Sequence, residues 1–478
     1  MFKPKSSTLI LLSAVSAMGS ACTSISESEP EKPNIIIIFT DDQGYQDLGS
    51  YGSPDIKTPR IDQMAREGMR FTDFYVASSV CSASRAALLT GCYPQRVGVQ
   101  GVFFPNGGGG LNPGHVTIAE ILDSAGYATA AVGKWHLGDL PEYLPTNQGF
   151  NSYYGIPYSN DMFPALDMKY SDACHWREGY SVERIMEESE MQINKWGRPQ
   201  LLKSKVPLMR GEECVEFPAD QTTLTKRYTE ESMKFIENSV NDDKPFFLYL
   251  AHTMPHIPIF TTEEFEGKSE AGLYGDCIEE IDYYTGKILD QLKELGIEEN
   301  TIVVFTSDNG PWLGVGKENE GRAHPLFEGK FTSFEGGMRV PFIVRWPAAV
   351  PAGATSNELG ASIDLLPTLA NIAGAELPDK ELDGKDITDL WKGTEGAVTP
   401  HEYYFMVHQG HAVRSGNWKY HEKMRYTVTK EPNRIEGPAL YNLKEDIGES
   451  ENVIDQYPDV AERLAKALDD HLLRINNN

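Results

Sequence analysis

A chain of 478 residues, 40% hydrophobic and 24% charged, is long enough for one large domain and a smaller one, each with its own core. Its formal net charge of -27 excludes the broad basic face that a nucleic-acid binder needs. An anionic small substrate stays open, because a few cations in a cleft can dominate locally.

The chain opens with Lys3 and Lys5, the apolar run LILLSAVSAM and the small residues GSAC. This reads as a signal peptide over residues 1–21. The run is too short to span a bilayer, and nothing later supplies a spanning helix. Cys22, directly after Ala21, resembles a bacterial lipoprotein cleavage site, although Gly19 stands where a larger aliphatic residue is usual. An ordinary signal peptide with an incidental cysteine is the alternative. TSISESEPEKP, small and acidic, reads as a disordered tether over 22–32. The expectation is an exported protein, periplasmic or anchored to the outer membrane, that meets the membrane only through a lipid.

NIIIIFTDDQG is a β-branched run ending in acids and glycine, which predicts a buried parallel strand and a loop. TPRIDQMAREGMRF predicts a short helix stopping near Gly68, and SSVCSASRAALLTG a helix starting near Ser84. TIAEILDSAGYATAAVGKWHLG reads as helix, glycine stop at Gly126, then strand. From about Asp161 to LKSKVPLMRGEECVEFPADQ the chain reads as an irregular insertion over the site. TKRYTEESMKFIENS is a helix and KPFFLYLAHTMPH a strand leading to histidines. CIEEIDYYTGKILDQLKELG is a helix with a glycine stop at Gly296, TIVVFTSDNG another buried strand, VPFIVRW a further one, and SIDLLPTLANIAG a helix. Alternating helices and apolar strands predict an α/β sandwich with a mostly parallel central sheet over residues 33–391. Beyond Trp391, HEYYFMVHQGHAVRSGNWKYHEKM alternates like antiparallel strands and YPDVAERLAKALDDHLLRI like an amphipathic helix. Residues 392–478 therefore read as a small α+β subdomain.

Chemically able residues recur just after strands end: Asp41 and Asp42, Lys134 and His136, His252 and His256, Asp308 and Asn309. The carboxyl ends of strands are where open α/β sheets bind ligands, so these clusters predict one composite site. Asp41, Asp42, Asp308 and Asn309 form an all-oxygen set suited to Ca²⁺ or Mg²⁺, whereas zinc favours nitrogen and sulfur. Arg85, Lys134 and Lys330, with a metal, suit a tetrahedral oxyanion. His136 and His256 can move protons near neutral pH. Cys81 is a packing residue, half of a disulfide, a nucleophile or the precursor of something else. Two of Cys92, Cys174, Cys214 and Cys277 can pair in an oxidising compartment, and spacing does not say which.

CSASRAALLTG resembles the signature of the type I, formylglycine-dependent sulfatases: Cys or Ser, any residue, Pro or Ala, any residue, Arg, then Leu-Thr-Gly. GKWHLG resembles their second signature, and TDDQG, HTMPHIP, SDNG and GKFTSFEGGMRVP match further motifs in the same order. The resemblance, to exported bacterial members like arylsulfatase A, covers roughly residues 33–475. It implies an alkaline phosphatase-like sandwich with a large mixed sheet and a C-terminal antiparallel sheet. It implies that Cys81 is converted to formylglycine, which hydrates to a gem-diol. A Ca²⁺ ion, less readily Mg²⁺, would sit on Asp41, Asp42, Asp308, Asn309 and the residue 81 oxygen. Arg85 and Lys134 would hold the diol, and Lys134, His256 and Lys330 the sulfate. One hydroxyl would attack sulfur while Lys330 or His256 protonates the leaving alcohol. The other, deprotonated by His136, would expel sulfate and restore the aldehyde. Ala83 stands where many members have proline, a variant found with oxygen-independent maturation enzymes. A formylglycine-generating enzyme is thus an expected partner.

Two rival readings are a phosphomonoester, phosphodiester or phosphonate hydrolase of the same superfamily, and an inactive lipoprotein that binds sulfated glycans. Two-metal phosphatases need further ligands for a second ion, and here cations occupy that place. YYGIPYSNDM resembles the loop at the pocket mouth of arylsulfatase A-like members. The expected substrate is a sulfated saccharide taken at its terminal residue. His252, Asp161, His175, Arg177 and His411 are candidates for gripping it.

Overall fold

Ile35 to Ile38 lie at the centre of the molecule, with no side-chain surface left to water. The structure, a computed structural model, describes residues 1–2, 32–407, 410–424, 428–429 and 437–476. Residues 3–21 of the expected signal peptide and the expected tether apart from Lys32, Cys22 included, lie outside the described residues. From Lys32 onward the chain forms one unit.

In chain order the strands are β1 (Asn34–Thr40), β2 (Met69–Phe71), β3 (Phe74–Tyr75), β4 (Ala128–Gly133), β5 (Ser152–Gly155) and β6 (Tyr170–Trp176). There follow β7 (Leu208–Arg210), β8 (Glu213–Phe217), β9 (Phe246–Ala251), β10 (Thr301–Ser307), β11 (Phe342–Arg345), β12 (Ala354–Ser356) and β13 (Gly360–Ala361). The last four are β14 (Tyr404–Val407), β15 (Gly410–Ser415), β16 (Trp418–Met424) and β17 (Ala439–Asn442). Eleven of them form one sheet in the order β12-β2-β11-β10-β1-β9-β4-β5-β7-β8-β6. Its middle, β10-β1-β9-β4-β5, is parallel. Strand β11 runs antiparallel to β10 and to β2, so the sheet is mixed toward its edges.

The two-residue period of β1 explains the layering. Ile35, Ile37 and Phe39 enter one core with the helices Cys81–Thr90, Ile118–Ser124 and Leu365–Ala373. Ile36 and Ile38 enter the other with Pro59–Glu67, Leu224–Asn241 and Gly272–Glu294. Both faces are covered, which is why the run is continuous rather than alternating. Burying each such isoleucine stabilises the fold by about 1.5–3 kcal/mol.

Two expectations need correction. The stretch after Asp161 is not irregular throughout: β6, β7 and β8 extend the main sheet beyond β5, and Ser181 caps a helix Val182–Ser189. These strands lie toward an edge and are only partly buried, so their sequence lacks a long apolar run. The helix expected near Ser84 begins at Cys81, with Val80 as its N-cap in extended conformation. Cys81, Cys92, Cys174, Cys214 and Cys277 are free thiols. Cys174 lies beside Cys214, whose thiol donates to the Glu216 carbonyl at 3.3 Å, while Cys92 and Cys277 are buried in opposite core layers.

Strands β14 to β17 make an antiparallel sheet against which the helix Pro458–Asn476 packs through Leu464 and Leu468. A buried charge network joins this sheet to the rest. Glu335, in the turn after Lys330, bonds Lys419 of β16 at 2.9 Å, Arg339 at 3.2 Å and the Tyr75 hydroxyl at 2.5 Å. Lys419 also pairs with Glu449 at 3.0 Å, and Glu449 accepts the Glu335 N–H at 2.7 Å. Burial pushes the Glu335 carboxyl up, but Lys419, Arg339 and Arg414 together outweigh it and hold it well below the usual carboxylate range.

Candidate active site

The sheet order turns four separate sequence clusters into one. β10, β1, β9 and β4 are neighbours, and Asp308, Asp41, His252 and Lys134 each follow the last residue of one of them. Gly133 makes the β4 turn possible. Its φ is +111°, and a Cβ there would stand 1.8 Å from the Ala251 carbonyl oxygen. Gly310, after Asn309, lets the turn around Gly336 approach, since a Cβ would meet that carbonyl oxygen at 1.7 Å. Asp42, His136 and Phe331 adopt left-handed backbone at φ 65°, 61° and 74°. Non-glycine residues held this way cost roughly 1–3 kcal/mol each and cluster where function fixes the backbone.

Arg85 donates to Asp308 Oδ2 from Nη2 at 2.7 Å and Nε at 3.1 Å, and to the Lys134 carbonyl at 3.1 Å. Lys134 Nζ lies 2.5 Å from Asp41 and Lys330 Nζ 2.6 Å from Asp42. Asn309 Nδ2 donates to Asp42 at 2.7 Å, and the Asp42 N–H donates to Asp308 Oδ1 at 3.1 Å. Asp41, Asp42, Cys81 and His256 each bring a donor atom within 4.8 Å of the others. All of these side chains are buried. Three carboxylates face three fixed cations, so the cluster is formally neutral.

Burial pushes Asp41 up, but Lys134, His256 and Arg85 outweigh it and hold it below its ordinary value. Burial, with the neighbouring Asp41 charge, raises Asp308 despite Arg85. Burial opposes charge on Lys330, yet Asp42 and its neighbours keep the ammonium protonated far above neutrality. The Cys81 thiol is pushed up to about 11 by burial, against Lys134 and Lys330. Unmodified, it is a protonated thiol at neutral pH and a poor nucleophile. His136 is driven well below its ordinary value by burial, then by Lys134 and Arg85, so its ring is neutral. Its Nε2 faces the Phe103 carbonyl at 3.1 Å and must carry the hydrogen. Nδ1, buried and without a partner among the described residues, is a free lone pair. His256 is the mirror case. Nδ1 faces the Asn160 amide oxygen at 3.0 Å and the Ile257 carbonyl at 2.6 Å, both acceptors. Nε2 points toward Asp42, 3.6 Å away.

The donor set fits a hard divalent cation. Asp41 Oδ1 and Asn309 Oδ1 are buried oxygens with no hydrogen-bond partner among the described residues. Such orphaned acceptors are rare in native interiors unless something binds them. Asp42 and Asp308 keep further lone pairs for the same ion.

Other expected residues fall elsewhere. His252 is buried at the end of β9, pushed down to about 4 by burial, with Nδ1 unpartnered among the described residues. Asp161 directly follows Asn160 and is half-buried. His175 lies exposed on edge strand β6. Arg177 is held by Glu216 and Asp220, and His411 by Glu422 at 2.7 Å. The last three are thus placed on an exposed edge or committed to local carboxylates, not gathered into the cluster. Sequence reasoning missed Ser159, 3.3 Å from Lys134 Nζ, and Asn160, which fixes His256. It also missed Trp312, whose ring lies 5.5 Å from His256 and 4.7 Å from Lys330 Nζ. The signals were present: YSND ends the YYGIPYSNDM loop, and PW follows SDNG.

Comparison with known proteins agrees with this geometry. Residues 33–375 match the protein family described as Sulfatase, and residues 322–478 that described as N-sulphoglucosamine sulphohydrolase, C-terminal. Arylsulfatase A of Bos taurus is 38% identical over 457 residues, covering 91% of this chain and 86% of the relative. N-acetylgalactosamine-6-sulfatase of Canis lupus familiaris is 36% identical over 426 residues, covering 86% and 75%. The solved structure of Ps i-CgsB in complex with k-i-k-neocarrahexaose superposes with a TM-score of 0.74 at 30% identity, covering 92% of each chain. Carbohydrate sulfatases are therefore among the homologues, and the layered sheet is the alkaline phosphatase-like fold they share. The chain belongs to the sulfatase family and is a sulfuric ester hydrolase.

Proposed function

We propose that the enzyme removes sulfate from a saccharide, using an aldehyde made from Cys81 and a Ca²⁺ ion held by Asp41, Asp42, Asp308 and Asn309. The observation that carries the reading is the buried convergence of Asp41, Asp42, Cys81 and His256 within 4.8 Å, walled by Lys134 and Lys330. Formylglycine, once formed, supplies a hydroxyl nucleophile and, by reverting to the aldehyde, a way to release sulfate that a serine ester lacks. The ion supplies charge stabilisation and leaves the cluster cationic toward an anionic ester.

The remaining work falls to side chains. Lys134 and Lys330 grip sulfate oxygens, and Arg85 fixes residue 81 through the Asp308 and Lys134 frame. Lys330, fixed by Asp42 at 2.6 Å, stands as a positive charge beside the sulfate. His256 protonates the departing alcohol from Nε2, acting as the imidazolium, because Nδ1 already carries a hydrogen toward Asn160 and Ile257. His136, neutral and with Nδ1 free, takes the proton in the release step. The helix beginning at Cys81 aims its N-terminal N–H groups at the same anion. Ala83 in the modification motif favours an oxygen-independent maturation enzyme, and the N-terminal segment favours export. Intact mass of the native protein tests conversion of Cys81 and removal of the N-terminal segment.

Paired aryl sulfate and aryl phosphate esters test the reaction. Sulfate is expected to be favoured by about 10²-fold or more in kcat/KM, since the site offers one oxygen set and cations where a second metal would sit. Equal or faster phosphate release would overturn the reading. Adding Ca²⁺ to chelator-treated protein is expected to stabilise it by about 2.7 kcal/mol at a hundredfold excess over Kd. A larger thermal shift with Zn²⁺ would assign the ion to Cys81 and His256 instead.

A further inference from the structure

Two backbone stretches that position the catalytic histidines run on into the wall of a second cavity. Phe103, whose carbonyl accepts from His136, is followed by Phe104, Pro105 and Asn106. Asn160, which fixes His256, is followed by Phe163 and Leu166. The stretches are tied together where the Leu166 N–H donates to Asn106 Oδ1 at 2.8 Å. Together with Trp196 and Arg198 they line a half-open cavity of 390 Å³, room for a sugar ring.

Trp196 and Arg198 are presented deliberately. Ile193 and Pro199 pair across a tight turn, and Asn194 Oδ1 accepts the N–H groups of Trp196 at 2.9 Å and Arg198 at 3.0 Å. Trp196 is left 67% exposed with Lys195 Nζ 4.3 Å from its ring. An exposed indole at a turn tip offers a flat apolar face with a polar N–H, a combination that suits a sugar ring. The Arg198 guanidinium stacks on Phe104 at 3.7 Å and has no carboxylate partner among the described residues. Stacking leaves its edge N–H groups free for bidentate contact with a carboxylate or sulfate.

We infer that this cavity is the subsite for the sugar next to the sulfated one, with Trp196 stacking on its C–H face and Arg198 pairing with an acidic substituent. The preferred substrate is then an anionic oligosaccharide rather than a free sulfated monosaccharide. The inference rests on the saccharide sulfatase reading above.

The test compares kcat/KM for three sulfated substrates sharing the same sulfated sugar: the monosaccharide, a disaccharide with a neutral neighbour, and one with a uronic acid neighbour. Wild type is expected to favour the acidic disaccharide over the monosaccharide by about tenfold or more. Trp196→Ala should lower both disaccharide rates by about tenfold and leave the monosaccharide rate unchanged. Arg198→Ala should affect only the acidic disaccharide. Monosaccharide turnover with an unaltered disaccharide-to-monosaccharide ratio in Trp196→Ala would overturn the subsite alone. Hydrolysis of aryl sulfate with no release from any saccharide would overturn the saccharide reading and the subsite with it.

Discussion

Cys81→Ala is expected to lower sulfate release by about 10⁴-fold or more, because a residue that acts as part of a covalent unit cannot be partly replaced by its neighbours. The fold should survive. Losing the small buried group at residue 81 costs about 1 kcal/mol, and the helix start, the Arg85–Asp308 pair and the β-strand ends do not involve it. Thermal melting of the variant, beside sulfate release measured by ion chromatography, separates the two effects. Undiminished release would place the nucleophile elsewhere, and the oxygen cluster would then have to activate water directly.

Glu335→Gln is expected to be the most damaging conservative change outside the catalytic cluster, lowering stability by about 3 kcal/mol. The loss leaves Arg339 and Lys419 facing one carboxylate fewer in a buried site. Glu449 remains on Lys419, which keeps the figure at the lower end for a broken buried pair. The pH dependence has a definite sign. A carboxyl whose folded pKa is depressed contributes stability in full above its unfolded value of 4.5, and loses it as pH falls toward the lower folded value. The gap in unfolding free energy between wild type and Glu335→Gln should therefore be constant near neutrality and close in acid. A gap that widened in acid would show that the glutamate is not ionised in the folded protein.

Much of the site was readable because burial leaves a plain mark. The isoleucines of β1 are uninterrupted since both faces are covered, and the acids after them stand out as the first polar residues. Strand order is the missing piece in sequence. Only the sheet reveals that β10, β1, β9 and β4 are adjacent, so that their ends share one space. The helix start was misplaced because Ser82 and Ser84 look like caps, whereas extended Val80 ends the approach and Cys81 is already helical. Strands β6 to β8 were missed because strands toward an edge carry mixed burial and no run. Ser159, Asn160 and Trp312 were invisible for a different reason. Their roles lie in contacts with His256, Lys134 and Lys330, which no local pattern encodes.

The Glu335 network also sets a timetable. The turn that carries Lys330 is fastened by Lys419 and Glu449, and Glu328 beside it accepts N–H groups from Val428 and Thr429. A ribosome makes the chain amino end first, so Cys81, the acids of β1 and Asp308 all emerge well before the residues that clamp this turn. The nascent protein passes through an interval in which every strand of the large sheet exists but the Lys330 turn lacks its clamp from Lys419 and Glu449. Cys81, buried to 2% exposure in the folded molecule, is reachable by another protein only before the chain closes over it, so anything that delays folding prolongs its access.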